Sequence, residues 1–146
     1  MKKVSFWAAL IACIMLVAAC KTVGSGNQSD DAKYKSIYDK YRSGLILTGA
    51  NTYTVKSGDM LVNISRSFYQ DPFYYPVIMM ASSHVVLDPD KIEPGMQLTV
   101  PDLQVNLNDA SARANIRRFL LEIADVEESR NRAATARGMR DRANSL

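Results

Sequence analysis

A chain of 146 residues, 47% hydrophobic and 23% charged, can build one modest domain with appended elements but not two full cores. Two cysteines and a single histidine leave little material for a disulfide framework or a thiolate metal site. The net charge of +3, from 18 Lys and Arg against 15 Asp and Glu, is too small to mark the chain as a nucleic-acid binder.

In chain order, Lys2 and Lys3 precede an apolar run from Val4 to Ala19 that only Ser5 interrupts. A bilayer core asks for about 20 apolar residues, and this run meets Cys20 first, so it reads as a secretory signal rather than a spanning helix. Val17-Ala18-Ala19-Cys20 resembles a lipobox, the site at which bacterial lipoproteins are cut, with Val17 standing where leucine is commoner. The resemblance implies a signal peptide over residues 1–19 and lipidation at Cys20. An uncleaved anchor helix, the alternative reading, also leaves the protein on a membrane. Cleavage removes Cys13, acylation consumes the Cys20 thiol, and loss of Lys2 and Lys3 lowers the net charge to +1. No nucleic-acid partner is expected from so nearly neutral a chain.

Residues 20–29 are then a lipidated cysteine and a flexible tether, rich in Gly and Ser and without a large apolar residue except Val23. A coil of this kind spans about 15–18 Å and keeps the folded part near the membrane. Lys21 stands where aspartate resembles an inner-membrane retention signal, which by analogy favours the outer membrane, facing the periplasm. Residues 30–44 are an amphipathic helix: Tyr34, Ile37, Tyr38 and Tyr41 recur at helical spacing, Asp30 and Asp31 suit its N-terminal end, and Gly44 ends it. The tyrosine stripe is read as packing surface, with sugar stacking as the alternative.

From Tyr53 the periodicity changes. Tyr53-Thr54-Val55 has strand formers, Ser57-Gly58-Asp59 a turn and a cap, and Leu61, Ile64 and Phe68 the i, i+3, i+7 spacing of one helix face. Asp71-Pro72 breaks the chain, and a second helix starts at about Pro76, where proline is tolerated. Asp88-Pro89-Asp90 turns the chain again. Glu93-Pro94-Gly95-Met96 has the central Pro-Gly of a type II turn and leads into Leu98-Thr99-Val100 as a second strand. The aromatic cluster Phe68, Tyr69, Phe73, Tyr74 and Tyr75 holds more rings than a module this small can bury alone, so some are expected to pack on the flanking helices, with stacking on a sugar ring as the alternative.

After Pro101, Asn108 or Asp109 caps a long helix with an apolar stripe at Ile116, Phe119, Leu120, Ile123 and Val126. Beyond Glu128 the stripe fails, and the tail to Leu146 carries five arginines against Asp141. Residues 108–146 therefore read as a C-terminal helix with a polar basic tail, solvated or frayed, or else in electrostatic contact with acidic polymers or anionic lipid.

The pattern Y-T-V-K-x-G-D-x-L from Tyr53, with D-P-D-x-I-x-P-G-x-x-L-T-V-P ending at Pro101, resembles the LysM domain of bacterial cell-wall proteins. The resemblance covers residues 52–101 and implies an α+β fold: a βααβ module with an antiparallel two-stranded sheet, here flanked by an N-terminal helix and a long C-terminal helix. It also implies a shallow groove for glycans that contain N-acetylglucosamine, such as peptidoglycan. Carried over, the groove lies between Gly58, Asp59, Met60 and Leu61 on one side and Ser82, Ser83, His84, Val86 and Leu87 on the other. Met60 replaces the usual threonine, and Ser82 falls where asparagine is common.

No catalytic residue is assigned. Ser82, Ser83, His84 and Asp88 invite a triad, but all lie on one short segment to which the resemblance gives another role. Asp88, Asp90 and Glu93 lack the glycine and distal glutamate of an EF-hand loop, so no metal and no cofactor are assigned. The expected function is a non-enzymatic lipoprotein that links an envelope membrane to the cell wall through peptidoglycan. The alternative is a periplasmic scaffold whose groove no longer takes glycan and whose helices bind another envelope protein. A wall-hydrolase accessory subunit or degenerate enzyme ranks below both.

Overall fold

The computed structural model describes residues 26–146. The expected signal, Cys20 and the first part of the tether lie outside the described residues. Among the described residues ten elements follow one another: α1 (Gly26–Tyr41), a 3-10 turn (Arg42–Gly44), β1 (Asn51–Thr54), α2 (Leu61–Tyr69), a second 3-10 turn (Pro72–Tyr74), α3 (Tyr75–Ala81), β2 (Gln97–Val100), α4 (Leu103–Asn108), α5 (Ala110–Ser129) and α6 (Ala133–Ser145). The fold is α+β. β1 and β2 pair antiparallel, with Asn51 opposite Val100 and Tyr53 opposite Leu98.

Strand alternation aims Leu98 and Val100 inward, where both are buried. The type II turn forms as its residues require: Gly95 takes φ +94°, and the Met96 amide donates to the Glu93 carbonyl at 3.1 Å. In α2, Leu61 and Ile64 face the core, but Phe68 is 40% exposed. It lies edge-on to Tyr53 with ring centroids 5.8 Å apart. Asp71 caps the next turn by accepting from the Phe73 amide at 2.8 Å. Pro76 sits in the first turn of α3, and every residue of that helix is buried.

The flanking helices share the module's core. Tyr34, Tyr38 and Tyr41 of α1 are buried, and Phe119 of α5 lies between the last two, at 6.0 Å from Tyr38 and 5.9 Å from Tyr41. The tyrosine stripe is thus packing surface. α1 begins at Gly26, so the last residues of the expected tether are helical; once packing holds a helix, each further residue needs only one more hydrogen bond to extend it. Asp109 caps α5 by accepting from the Ala112 amide at 2.8 Å, and Asp102 caps the short α4. Buried Asn106 of α4 holds the connector before β1 as a strand would: its side chain accepts from the Ile46 amide at 2.9 Å and donates to the Ile46 carbonyl at 2.8 Å.

The basic tail departs from the sequence reading. Asn131, at φ +62°, reverses the chain, and α6 returns along α5 with Ala136, Met139 and Ala143 fully buried. Two of its three arginines are paired with acids. Arg140 pairs with Asp125 and Glu128, and Arg142 pairs with Asp71 of the module. The apolar strip of α6 is made of small residues and one methionine, too weak a signal for hydrophobic periodicity to register. Gly138 permits the closest approach, because a Cβ there would lie 2.3 Å from Cε1 of Phe73.

Candidate functional site

The loop from β1 to α2 is built around Gly58, whose φ of +85° suits the residue without a Cβ. This turn brings the Asp59 carboxylate back to accept from the Lys56 amide and the Tyr53 hydroxyl, each at 2.8 Å. Those two donors, the Lys56 amide foremost, hold Asp59 below the usual carboxylate range. With the loop fixed, Met60 projects outward, 55% exposed, and Leu61 turns in to start α2.

Beside this loop is a cavity of about 300 Å³. Asp59, Met60, Leu61 and Val62 form one wall, and Pro89, Asp90 and Ile92 of the α3–β2 loop form the opposite one. The floor is Tyr75 of α3 and Glu127 of α5, and the remaining side is Arg132 and Thr135 at the start of α6. Burial, with the charge of Glu127 beside it, pushes the Tyr75 hydroxyl far above its ordinary range, so it stays a neutral phenol.

Of the residues expected to form the groove, Asp59, Met60 and Leu61 line this cavity and Gly58 makes the turn behind them. Ser82, Ser83, His84, Val86 and Leu87 do not line it. Ser82 is fully buried: its hydroxyl oxygen accepts from the Thr99 amide at 2.8 Å and it donates to the Thr99 carbonyl at 3.3 Å, fastening α3 to β2. Val86 is a core residue, and the Leu87 carbonyl accepts from the Tyr38 hydroxyl at 3.1 Å. His84 is exposed on the loop. The second wall comes a few residues later, from the stretch that opens Asp88-Pro89-Asp90. The Asp-Pro-Asp pattern of that stretch signals a turn but not which face of the module the turn meets.

The Asp88 carboxylate is taken up by the Asp90 amide and by Arg130. Burial pushes its carboxyl up, but the Asp90 amide at 3.0 Å and the Arg130 guanidinium at 3.1 Å outweigh it and hold Asp88 below its ordinary value. Arg130 also reaches Asp90 at 2.9 Å, and Arg132 pairs with Asp90 and with the buried Glu127. Among the described residues, no group of three or more His, Cys, Asp or Glu side chains is placed to hold a metal ion.

The βααβ order and the antiparallel register agree with the two-stranded α+β module that the sequence pattern implies. Residues 53–101 match the LysM domain family. The chain carries a LysM domain. Such a domain points to binding of peptidoglycan or a related glycan and to association with the cell envelope. The chain is similar to the potassium binding protein Kbp of Escherichia coli, 38% identical over 80 residues that make up 55% of this chain and 52% of that protein. It is also similar to an uncharacterized protein of Deinococcus radiodurans, 41% identical over 54 residues, 37% of this chain and 21% of that protein. It thus spans about half the length of the first relative and about a fifth of the second. No solved structure matches it. Among the described residues, no helix is long and apolar enough to cross a membrane.

Proposed function

We propose that this protein is a non-enzymatic lipoprotein, anchored through Cys20 to the periplasmic face of the outer membrane, whose LysM domain holds peptidoglycan through its N-acetylglucosamine units. The observation that carries the reading is the cleft between Asp59–Val62 and Pro89–Ile92 within the matched residues. Backbone groups of the two loops hydrogen-bond the acetamido group, and Leu61 and Ile92 supply apolar surface for its methyl. Contacts this few and this exposed give modest affinity. Many copies on one membrane face act together and convert weak binding into retention of the wall.

Cosedimentation of the protein with insoluble peptidoglycan tests the glycan part, and entry of a clickable fatty acid into wild type but not into Cys20→Ser tests the anchor. Wild-type protein left in the supernatant at every wall concentration would replace this reading with the second one, a periplasmic scaffold that binds an envelope protein. That second reading is favoured by Met60, an exposed apolar side chain where threonine is usual. The potassium named for the Escherichia coli relative belongs to that protein and enters neither reading.

A further inference from the structure

A LysM module alone leaves its cleft bounded by two loops, but here a third side is present and comes from outside the module. Arg132 and Thr135 stand at the cavity from the first turn of α6, and Glu127 of α5 closes its floor. Neither helix belongs to the matched residues 53–101. The hairpin between them is held against the α3–β2 loop by named contacts: Arg130 to Asp88 at 3.1 Å and to Asp90 at 2.9 Å, and Arg132 to Asp90 and to Glu127 at 3.3 Å. Glu127, fully buried, is a fixed carboxylate and not a side chain that drifts into the space. Asn131 at φ +62° sets the reversal that places Arg132 over the loop.

We infer that Arg132 and Thr135 are specificity-determining residues of the glycan site, so that the functional unit is the LysM module together with the α5–α6 hairpin. The inference rests on the glycan-binding reading of the cleft. Because the hairpin is locked before any ligand arrives, its wall costs no ordering on binding. Its charge also selects. Asp59, Asp90 and Glu127 border the cavity with Arg132 as the single cation among its lining residues, and that guanidinium is already shared between two carboxylates. An uncharged N-acetylhexosamine unit fits this setting, with the Thr135 hydroxyl and the outer guanidinium N–H groups as donors to its hydroxyl oxygens. A sugar carrying a carboxylate at this position meets repulsion.

The test titrates the full chain, isotope-labelled and kept in detergent, with chitotetraose and follows amide NMR signals. The expected result is movement at Asp59 to Val62, at Asp90 to Ile92, and also at Arg132 to Thr135. Thr135→Trp fills the third side from a half-buried position, and it should weaken binding at least tenfold with the dispersion of the spectrum intact. N-acetylmuramic acid at equal concentration should shift none of the three segments. Shifts confined to the two loops, with Thr135→Trp binding as wild type does, overturn the inference and leave the glycan reading standing. Equal shifts with N-acetylmuramic acid overturn the charge selection. Silence of all three segments at millimolar chitotetraose overturns the glycan reading and this inference with it. Should Thr135→Trp fail to fold, the Arg132 to Thr135 shifts in the wild-type chain decide alone.

Discussion

The Tyr34 hydroxyl donates to the buried Glu127 carboxylate, joining α1 to α5 across 93 residues of chain. Arg130 Nη1 donates to the same Tyr34 oxygen at 2.7 Å, and its guanidinium lies 5.5 Å from the Tyr34 ring centroid. A carboxylate taken wholly out of water needs such partners, since an unpaired one costs several kcal/mol. The pair is therefore a joint between helices and a condition for placing Glu127 beneath the cleft.

Tyr34→Phe removes one donor from Glu127 and leaves the ring in place. A hydrogen bond to a charged group contributes about 1.5–3 kcal/mol, so urea unfolding should show a loss in that range with the slope unchanged. Glu127→Ala leaves Arg132 without one of its carboxylates and opens a cavity as well. It should cost more than Tyr34→Phe, about 3–5 kcal/mol.

The pH profile of stability follows from the same groups. Asp88 is held below its ordinary 3.8, and Glu122, paired with Lys40 and Tyr41, is also lowered. A lowered carboxyl stabilises the fold above the unfolded value, about 4, and that contribution is lost as pH falls through the folded value. Tyr34, Tyr38, Tyr69 and Tyr75 are raised above the ordinary 10.0, chiefly by burial. Their contribution is present below about pH 10 and is lost as pH rises toward the folded values, because the unfolded chain ionises first. Thermal melts should thus give a plateau between about pH 5 and 9 and fall on both sides. A midpoint that stays level to pH 11 would contradict the tyrosine part.

How much of this was legible follows the strength of each local signal. The sheet, α2, α3 and the Pro94-Gly95 turn were readable because alternation, helical spacing and turn chemistry agree there. The Phe119 stripe was readable for the same reason. Phe68 was misplaced because i, i+3, i+7 spacing marks a helix face without saying which neighbour it meets. α6 was missed because Ala136, Gly138 and Ala143 bury by being small, and the arginines around them answer acids far away in sequence. One clue to the cavity floor was available: Glu127 falls four residues after Ile123, on the buried side of α5.

The hairpin fold of the tail makes a prediction opposite to that of a solvated extension. Ending the chain at Ser129 exposes the surfaces that Ala136, Met139 and Ala143 cover and removes the partners of Asp90, Asp71 and Asp125. Calorimetry should find the shortened protein several degrees less stable or unfolded, since about 1 kcal/mol moves a domain of this size by a few degrees. Gly138→Ala is the minimal version. Its methyl meets the Phe73 ring, and overpacking of that kind costs about 1–3 kcal/mol. Wild-type stability in both variants would mean that α6 does not pack as described.

Met60 and Ser82, both departures from the family pattern, separate once burial is known. Ser82 accepts from the Thr99 amide in a fully buried position, so Ser82→Asn forces a larger side chain into α3–β2 packing. Its expected effect is a loss of about 1–3 kcal/mol in stability and no gain in glycan affinity. Met60 is exposed at the rim of the cavity, so Met60→Thr should leave the unfolding midpoint where it is. There it adds a hydroxyl beside the ligand, and a gained neutral hydrogen bond tightens binding by about 1 kcal/mol. Parallel chemical denaturation and chitotetraose titration of the two single variants check this. Tighter binding from Ser82→Asn, with its stability intact, would return that residue to the groove and move the second wall back to Ser82–Leu87.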